Sequence, residues 1–500
     1  MTGSLPSRSA RGCGLAGNLK QATLQGSFWL FLRFAGRQGA NTLAFFVMAA
    51  LLAPQEFGLG SIAAAVGYAV RPLVYRGFRD AVIQHAEADR LVDATAWWLN
   101  AGLGLAIGGI VVLAGLAAGA ISGQDDLAVL LVACASIPFF TGISAVSEGR
   151  IERRFEQKSL TLVQSVASVL AAIAGIVAAL AGWGAWAYVI NRVLESALIA
   201  AGILLLSRWW PGFAFSAPAA VRLSRIALPV MMTATLGGSF VHLSLMIVGG
   251  VLGTAAAGYF RVATQIYQFL IQTLCAPVVQ MILPAFARAP ERAADRYPDA
   301  VALLALIALP AFFGAAAIAP DLLPLLLGPA WVQAGLTAPL LCFGILAFIP
   351  ASTLEPVLIA QGRAMTASLL SLTNLVAGLL LILAGSSFGL WVASAGFALR
   401  AVFTLPLSAW LASVQLGVSV SRLARSYALA LVPALIMYGG VVGLLRIQVD
   451  WPAWLSLAVA IALGAGMYAL VTRFVSARLF PEVYAMALDF LPARLRRFLA

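Results

Sequence analysis

The feature that most constrains this chain is a succession of apolar runs, each about twenty residues long and separated only by short charged or Gly/Pro-containing breaks. About twenty apolar residues in helical conformation cross the hydrocarbon layer of a bilayer. Fourteen such runs can be read. They begin near Ser27, Leu59, Ala96, Leu127, Leu160, Gly184, Ile226, Ala257, Asp299, Val332, Met365, Gly389, Ser426 and Pro452. With 62% hydrophobic and 10% charged residues, the chain could not cover the exterior of a water-soluble fold. The expectation is an all-α polytopic membrane protein.

Its net charge of +12 could suggest a nucleic-acid partner, but the basic residues are dispersed in short clusters, as topology determinants are, and none is expected. Placing the N-terminus in the cytoplasm puts 22 of the 31 Lys and Arg in cytoplasmic segments and one, Arg446, outside, leaving eight within spans. This asymmetry follows the positive-inside rule and predicts cytoplasmic N- and C-termini. The start, polar to about Gln25 and then running into a span too long for an h-region, is read as lacking a secretory signal. Cys13, Cys134, Cys275 and Cys342 have no metal-ligand spacing. Packing is expected for them, and no metal, cofactor or catalytic residue is assigned.

The chain also partly repeats itself at an offset near 200. Leu52 and Gly58 match Leu252 and Gly258, and Ala174-Gly175 with Ala181-Gly182 match Ala377-Gly378 with Ala384-Gly385. Each of the latter blocks is followed by Gly-x-Trp, at Gly184/Trp186 and Gly389/Trp391. A six-span unit repeats in parallel orientation, the layout of transporters that hold substrate between two halves. The expected organisation is a cytoplasmic segment 1–26, an N-lobe 27–209, a C-lobe 210–412, two extra spans 413–478 and a basic tail 479–500.

Arginine in mid-membrane usually faces a cavity or a partner. The in-span cases are Arg33, Arg37, Arg71, Arg76, Arg79, Arg192, Arg261 and Arg400. Arg33, Arg37 and Asn41 recur every four residues and share one helix face. Arg37, Arg71 and Arg400 have no carboxylate within a turn and are the leading candidates to line a wet, cationic cavity, helped by Arg33, Arg76, Arg192 and Asn41. Bland readings stand beside these. Arg76 and Arg79 can snorkel, Arg79 can pair with Asp80, Arg192 can be neutralised by Glu195, and Arg261 can anchor at the interface. The acids counted within spans are Asp80, Glu195 and Glu355. Arginine dominance favours an anion, phosphate above all, whereas a drug-cation exporter would want unpaired carboxylates. Glu195 and His242 are candidates for proton or ion coupling, although a lone histidine among Ala, Gly and Leu is more often a packed, singly hydrogen-bonded residue.

The segment ALLAPQEFGLGSIA, then AVIQH, TAWWLN, IERRFEQ, AGWGAWAYV and RWWPGFAFS, resembles polysaccharide transport family flippases of the multidrug/oligosaccharidyl-lipid/polysaccharide superfamily. VLGTAAAGYFRVATQIYQ, LPAFAR and LLPLLLGPAWVQAG extend the resemblance to about Gly362. It implies two six-helix lobes forming a V, as in multidrug exporters of that superfamily, plus two further helices. It also implies transfer of an undecaprenyl-diphosphate-linked oligosaccharide across a bacterial inner membrane for exopolysaccharide or O-antigen synthesis. Membrane lipids, a polysaccharide polymerase and a chain-length regulator would be partners. The family carries no strict substrate-contact signature, so the arginine assignment rests on the residues alone. A lipid II flippase, a drug/cation antiporter, a membrane scaffold and an integral-membrane polymerase or ligase are the alternatives. The last is disfavoured by the short external loops.

Overall fold

The computed structural model describes residues 41–84, 89–122, 125–154, 156–288, 290–447 and 451–479. Arg33 and Arg37, the segment 1–26 and nearly all of the basic tail lie outside them. Among the described residues the chain is helical throughout. A bilayer dictates this, because a spanning segment must satisfy its backbone hydrogen bonds internally. Among the described residues twelve helices are long and apolar enough to cross, and a bent pair taken as one span makes a thirteenth. The first of the fourteen expected spans is described only over its apolar end, α1 (Asn41–Leu51).

Then follow α2 (Pro54–Gln84), α3 (Arg90–Ser122), α4 (Asp125–Cys134), α5 (Ser136–Arg153), α6 (Gln157–Leu180) and α7 (Ala185–Ser207). Next come α8 (Ala217–Gly238), α9 (Phe240–Leu252), α10 (Thr254–Leu270), a π-helical turn (Ile271–Cys275) and α11 (Ala276–Ala287). The remainder is α12 (Ala293–Leu327), α13 (Val332–Cys342), α14 (Ile345–Ala360), α15 (Ala364–Ser386), α16 (Leu390–Leu399), α17 (Ala401–Leu416), α18 (Val420–Arg446) and α19 (Ala453–Leu479).

Several spans differ from their expected outlines for local reasons. The seventh starts at Ala217, well before Ile226, because Ser216 caps α8 by accepting from the Ala219 amide at 3.4 Å and Pro218 suits the first turn. It breaks at Ser239 before resuming as α9. The tenth bends by 41° between α13 and α14. Arg150 and Arg153, counted as loop charges, belong to the last turns of α5. The three described cysteines, Cys134, Cys275 and Cys342, are free and buried.

The repeat is visible in polar contacts. Gln164 Nε2 donates to Glu148 at 3.1 Å, and Ser371 Oγ donates to Glu355 at 2.5 Å. Both pairs span sixteen residues, and they are 207 apart in the chain. A second pair follows in each half, Ser168 with Glu195 at 2.8 Å and Thr404 with Asn374 at 3.0 Å. Gly58 and Gly258 meet directly. A Cβ on Gly58 would lie 1.8 Å from the Thr254 carbonyl oxygen, and one on Gly258 would lie 2.2 Å from that of Pro54. Only glycine permits α2 and α10 to approach so closely.

Candidate functional site: a polar cavity within the bundle

A cavity of about 640 Å3 opens between α1, α2 and α5–α9. Its wall is built largely by one face of α2, on which Tyr68, Arg71, Tyr75 and Arg76 recur at helical spacing. Glu148 of α5, Gln164 and Ser168 of α6 and Glu195 of α7 face them, with Asn41 and His242 completing the wall. Gln272 reaches the cavity from the π-helical turn. Such a bulge inserts one residue and re-aims its side chain, a device frequent at functional sites.

Arg71 is held by aromatic faces, its guanidinium carbon 5.6 Å from the Tyr68 ring centre and 5.5 Å from that of Tyr75. It has no carboxylate within salt-bridge distance among the described residues, and its Nε is buried without a hydrogen-bond partner. His242 stacks on Tyr68, 5.7 Å between ring centres with the rings 21° apart. Tyr75 hydroxyl donates to Glu148 Oε1 at 2.8 Å, and Gln164 donates to the same oxygen. Both of these hydrogen bonds therefore leave Oε2 for other partners.

The remaining in-span arginines are distributed by the cost of an unpaired buried charge. Arg76 pairs with Asp80 at 3.2 Å. Arg79 is buried and bonds Asp80 at 2.9 Å and also Glu152. Arg192 pairs with Glu195 at 3.1 Å and lies over Tyr188, without lining the cavity itself. Arg261 donates to the Tyr188 hydroxyl at 3.2 Å and covers Phe45. Arg400 departs most from expectation. It is 3% exposed and rests against the adjacent rings of Phe240 and Phe397 at 4.1 and 4.4 Å, with a 3.3 Å hydrogen bond to the Tyr267 hydroxyl, and it is not part of the cavity wall.

The expected arginine-dominated chamber is thus corrected over its described wall, where Arg71 and Arg76 face Glu148 and Glu195. Charge balance explains part of it: among the described in-span arginines, Asp80 accompanies Arg76 and Arg79, Glu152 adds to Arg79 and Glu195 accompanies Arg192, whereas Arg71, Arg261 and Arg400 rest on aromatic rings. Glu148 escaped the sequence reading because SEGRIERRFEQK, residues 147–158, looks like a loop, and Tyr75 and Gln164 escaped it because only charged positions, His242 and Asn41 were weighed within spans. A usable signal existed, since Thr141, Ser144 and Glu148 share one helical face.

The fold and cavity define a polytopic helical membrane protein with the architecture of the multidrug/oligosaccharidyl-lipid/polysaccharide superfamily. The lipid II flippase MurJ, in its inward closed conformation, superposes with a TM-score of 0.74 at 14% identity, over 90% of this chain and 99% of that one. An inward-facing multidrug-resistance MATE family transporter of that superfamily superposes with 0.57 at 13% identity, over 75% and 95%. Residues 47–335 match the family described as polysaccharide biosynthesis protein, and the chain belongs to that family. Among curated relatives, the succinoglycan biosynthesis transport protein ExoT of Rhizobium meliloti (strain 1021) is 22% identical over 67% of this chain and 68% of its own length. The lipopolysaccharide biosynthesis protein WzxC of Escherichia coli (strain K12) is 22% identical over 63% of this chain and 65% of its own.

Proposed function

We propose that this chain is a flippase that carries an undecaprenyl-diphosphate-linked oligosaccharide from the cytoplasmic to the periplasmic leaflet of a bacterial inner membrane. The observation that carries the reading is Arg71, a guanidinium with no described carboxylate partner on the wall of a polar cavity inside an apolar bundle. Such a group supplies two parallel N–H donors to a phosphate. Around it, the carboxylate, amides and hydroxyls of Glu148, Gln164, Asn41, Gln272 and Ser168 are complementary to sugar hydroxyls. The lipid tail would remain among acyl chains while the head group occupies the cavity. The lobes 27–209 and 210–412 would then rock so that the cavity faces each side in turn. Glu195 and His242 are the titratable groups placed to couple that motion to protons, and Arg33 and Arg37 would add positive charge from the first span. The termini lie in the cytoplasm in this reading, which assigns no chemical step to the chain, and a polymerase with its chain-length regulator would receive the cargo.

The test is Arg71→Ala in cells, with lipid-linked oligosaccharides measured by mass spectrometry and protein abundance by immunoblot. Losing a charged hydrogen bond costs about 1.5–3 kcal/mol, so export is expected to fall by roughly 10- to 100-fold with precursor accumulating. Parental export at parental abundance would reject Arg71 as the phosphate anchor.

A further inference from the structure

We propose that Gly58 and Gly258 form a clasp that closes the cavity toward the face bearing Glu56, and that transport requires this clasp to part. The inference rests on the alternating-access reading above and adds the place where the two halves separate.

The contact is reciprocal. Gly58 lies against the carbonyl of Thr254, and Gly258 lies against the carbonyl of Pro54, each carbonyl belonging to the residue four before the opposing glycine. Pro54 and Thr254, like Gly58 and Gly258, are 200 residues apart, so equivalent points of the repeat touch each other about a local twofold relation. The next residues complete the closure. Trp331, 1% exposed, sets its ring perpendicular to Phe57 at 5.7 Å and to Tyr259 at 6.0 Å, filling the space beside both glycines.

Position along the helix gives the contact its consequence. Thirteen residues separate Gly58 from Arg71, about 20 Å at the helical rise. The clasp therefore stands between the cavity and the Glu56 end of the bundle. The glycines themselves meet backbone to backbone, a junction that can open without leaving a charge unpaired. A methyl group at either glycine would collide with a main-chain oxygen, which no rotamer change relieves. Alanine there forces α2 and α10 apart. By contrast, a methyl group on Gly250 of α9 meets nothing within 4 Å.

The test places a single cysteine at Ser168 on the cavity wall in a cysteine-free background and measures labelling by a membrane-impermeant maleimide. Spheroplasts and inside-out vesicles expose opposite faces, and a cysteine at Gln55 reports which of them bears Glu56. Gly58→Ala and Gly258→Ala are expected to raise the labelling rate from that face several-fold, with Gly250→Ala matching the parent. Parental labelling in both clasp variants would overturn the proposal. A second measurement leaves the glycines intact: spin labels at Gln55 and Ala255 in proteoliposomes, with and without undecaprenyl diphosphate. A longer-distance population is expected beside the short one, and a single short distance under both conditions would overturn the clasp. Because neither readout measures export and each has an arm without added lipid carrier, a clasp that opens while Arg71→Ala exports normally would uphold this inference and reject the proposed cargo site.

Discussion

Tyr75 and Glu148 are joined by a 2.8 Å hydrogen bond that ties α2 to α5 at the cavity wall, while the Tyr75 ring supports the guanidinium of Arg71. A single tyrosine thereby holds both a cation and a carboxylate in position. Tyr75→Phe keeps the ring and removes the hydroxyl, leaving Gln164 as the remaining described donor to Glu148. Loss of a bond to a charged acceptor is expected to lower stability by about 1.5–3 kcal/mol. The thermal unfolding midpoint in detergent checks it, and an unchanged midpoint would mean the bond contributes nothing.

Asp93 is 2% exposed and receives both Arg150 at 3.1 Å and Arg153 at 3.0 Å. Arg150 is also stacked 3.8 Å over Trp209 of the α7–α8 connection. Asp93→Asn removes the carboxylate these two arginines share and is expected to cost about 3–5 kcal/mol, as breaking a buried pair does. The amount of folded, membrane-inserted protein and its unfolding midpoint should both drop. Parental values would show that the two cations find other partners.

Arg192 and Glu195 should behave as a unit, with Ser168 donating to the same carboxylate. In a double-mutant cycle with alanine at each position, the coupling is expected at about 0.5–3 kcal/mol. Each single replacement should then harm stability more than independent residues would predict from the double. Additive effects would mean the pair is incidental.

Burial against the touching rings of Phe240 and Phe397 gives Arg400 a packing role rather than cargo contact. Arg400→Met fills a comparable volume without a buried charge, and near-parental stability is expected. Arg400→Ala leaves the rings unsupported and should cost about 2–5 kcal/mol, as truncation of a large buried side chain does. Export normalised to protein abundance should stay near parental for the methionine variant. A large loss there would return Arg400 to a direct role in transport.

The membrane class and nearly all span positions were legible because apolar length and charge spacing are local properties. The arginines were legible as anomalies for the same reason. Their environments were legible only where a partner lies on the same helix, as for Arg79 with Asp80 and Arg192 with Glu195; partners on other helices were not, since Glu152 is 73 residues from Arg79 and Asp93 is 60 from Arg153. Tyr188 meets Arg261 across another 73 residues. Nor does a helix rich in Ala, Gly and Leu advertise its inward face, so Arg71 and Arg400 looked alike in sequence and came to rest in different settings. The repeat blocks, by contrast, singled out Gly58 and Gly258 as equivalents, though not that the two would meet.

The matched pairs Glu148–Gln164 and Glu355–Ser371 occupy corresponding places in the two halves but have diverged in circumstance. The first borders the chamber with Arg71; the second is absent from its lining. An ancestral duplication would have furnished the chain with two acidic outposts and left one free to specialise. The halves are then symmetric as levers and unequal as hands, so swapping the two acidic environments should relocate the grip without dismantling the machine.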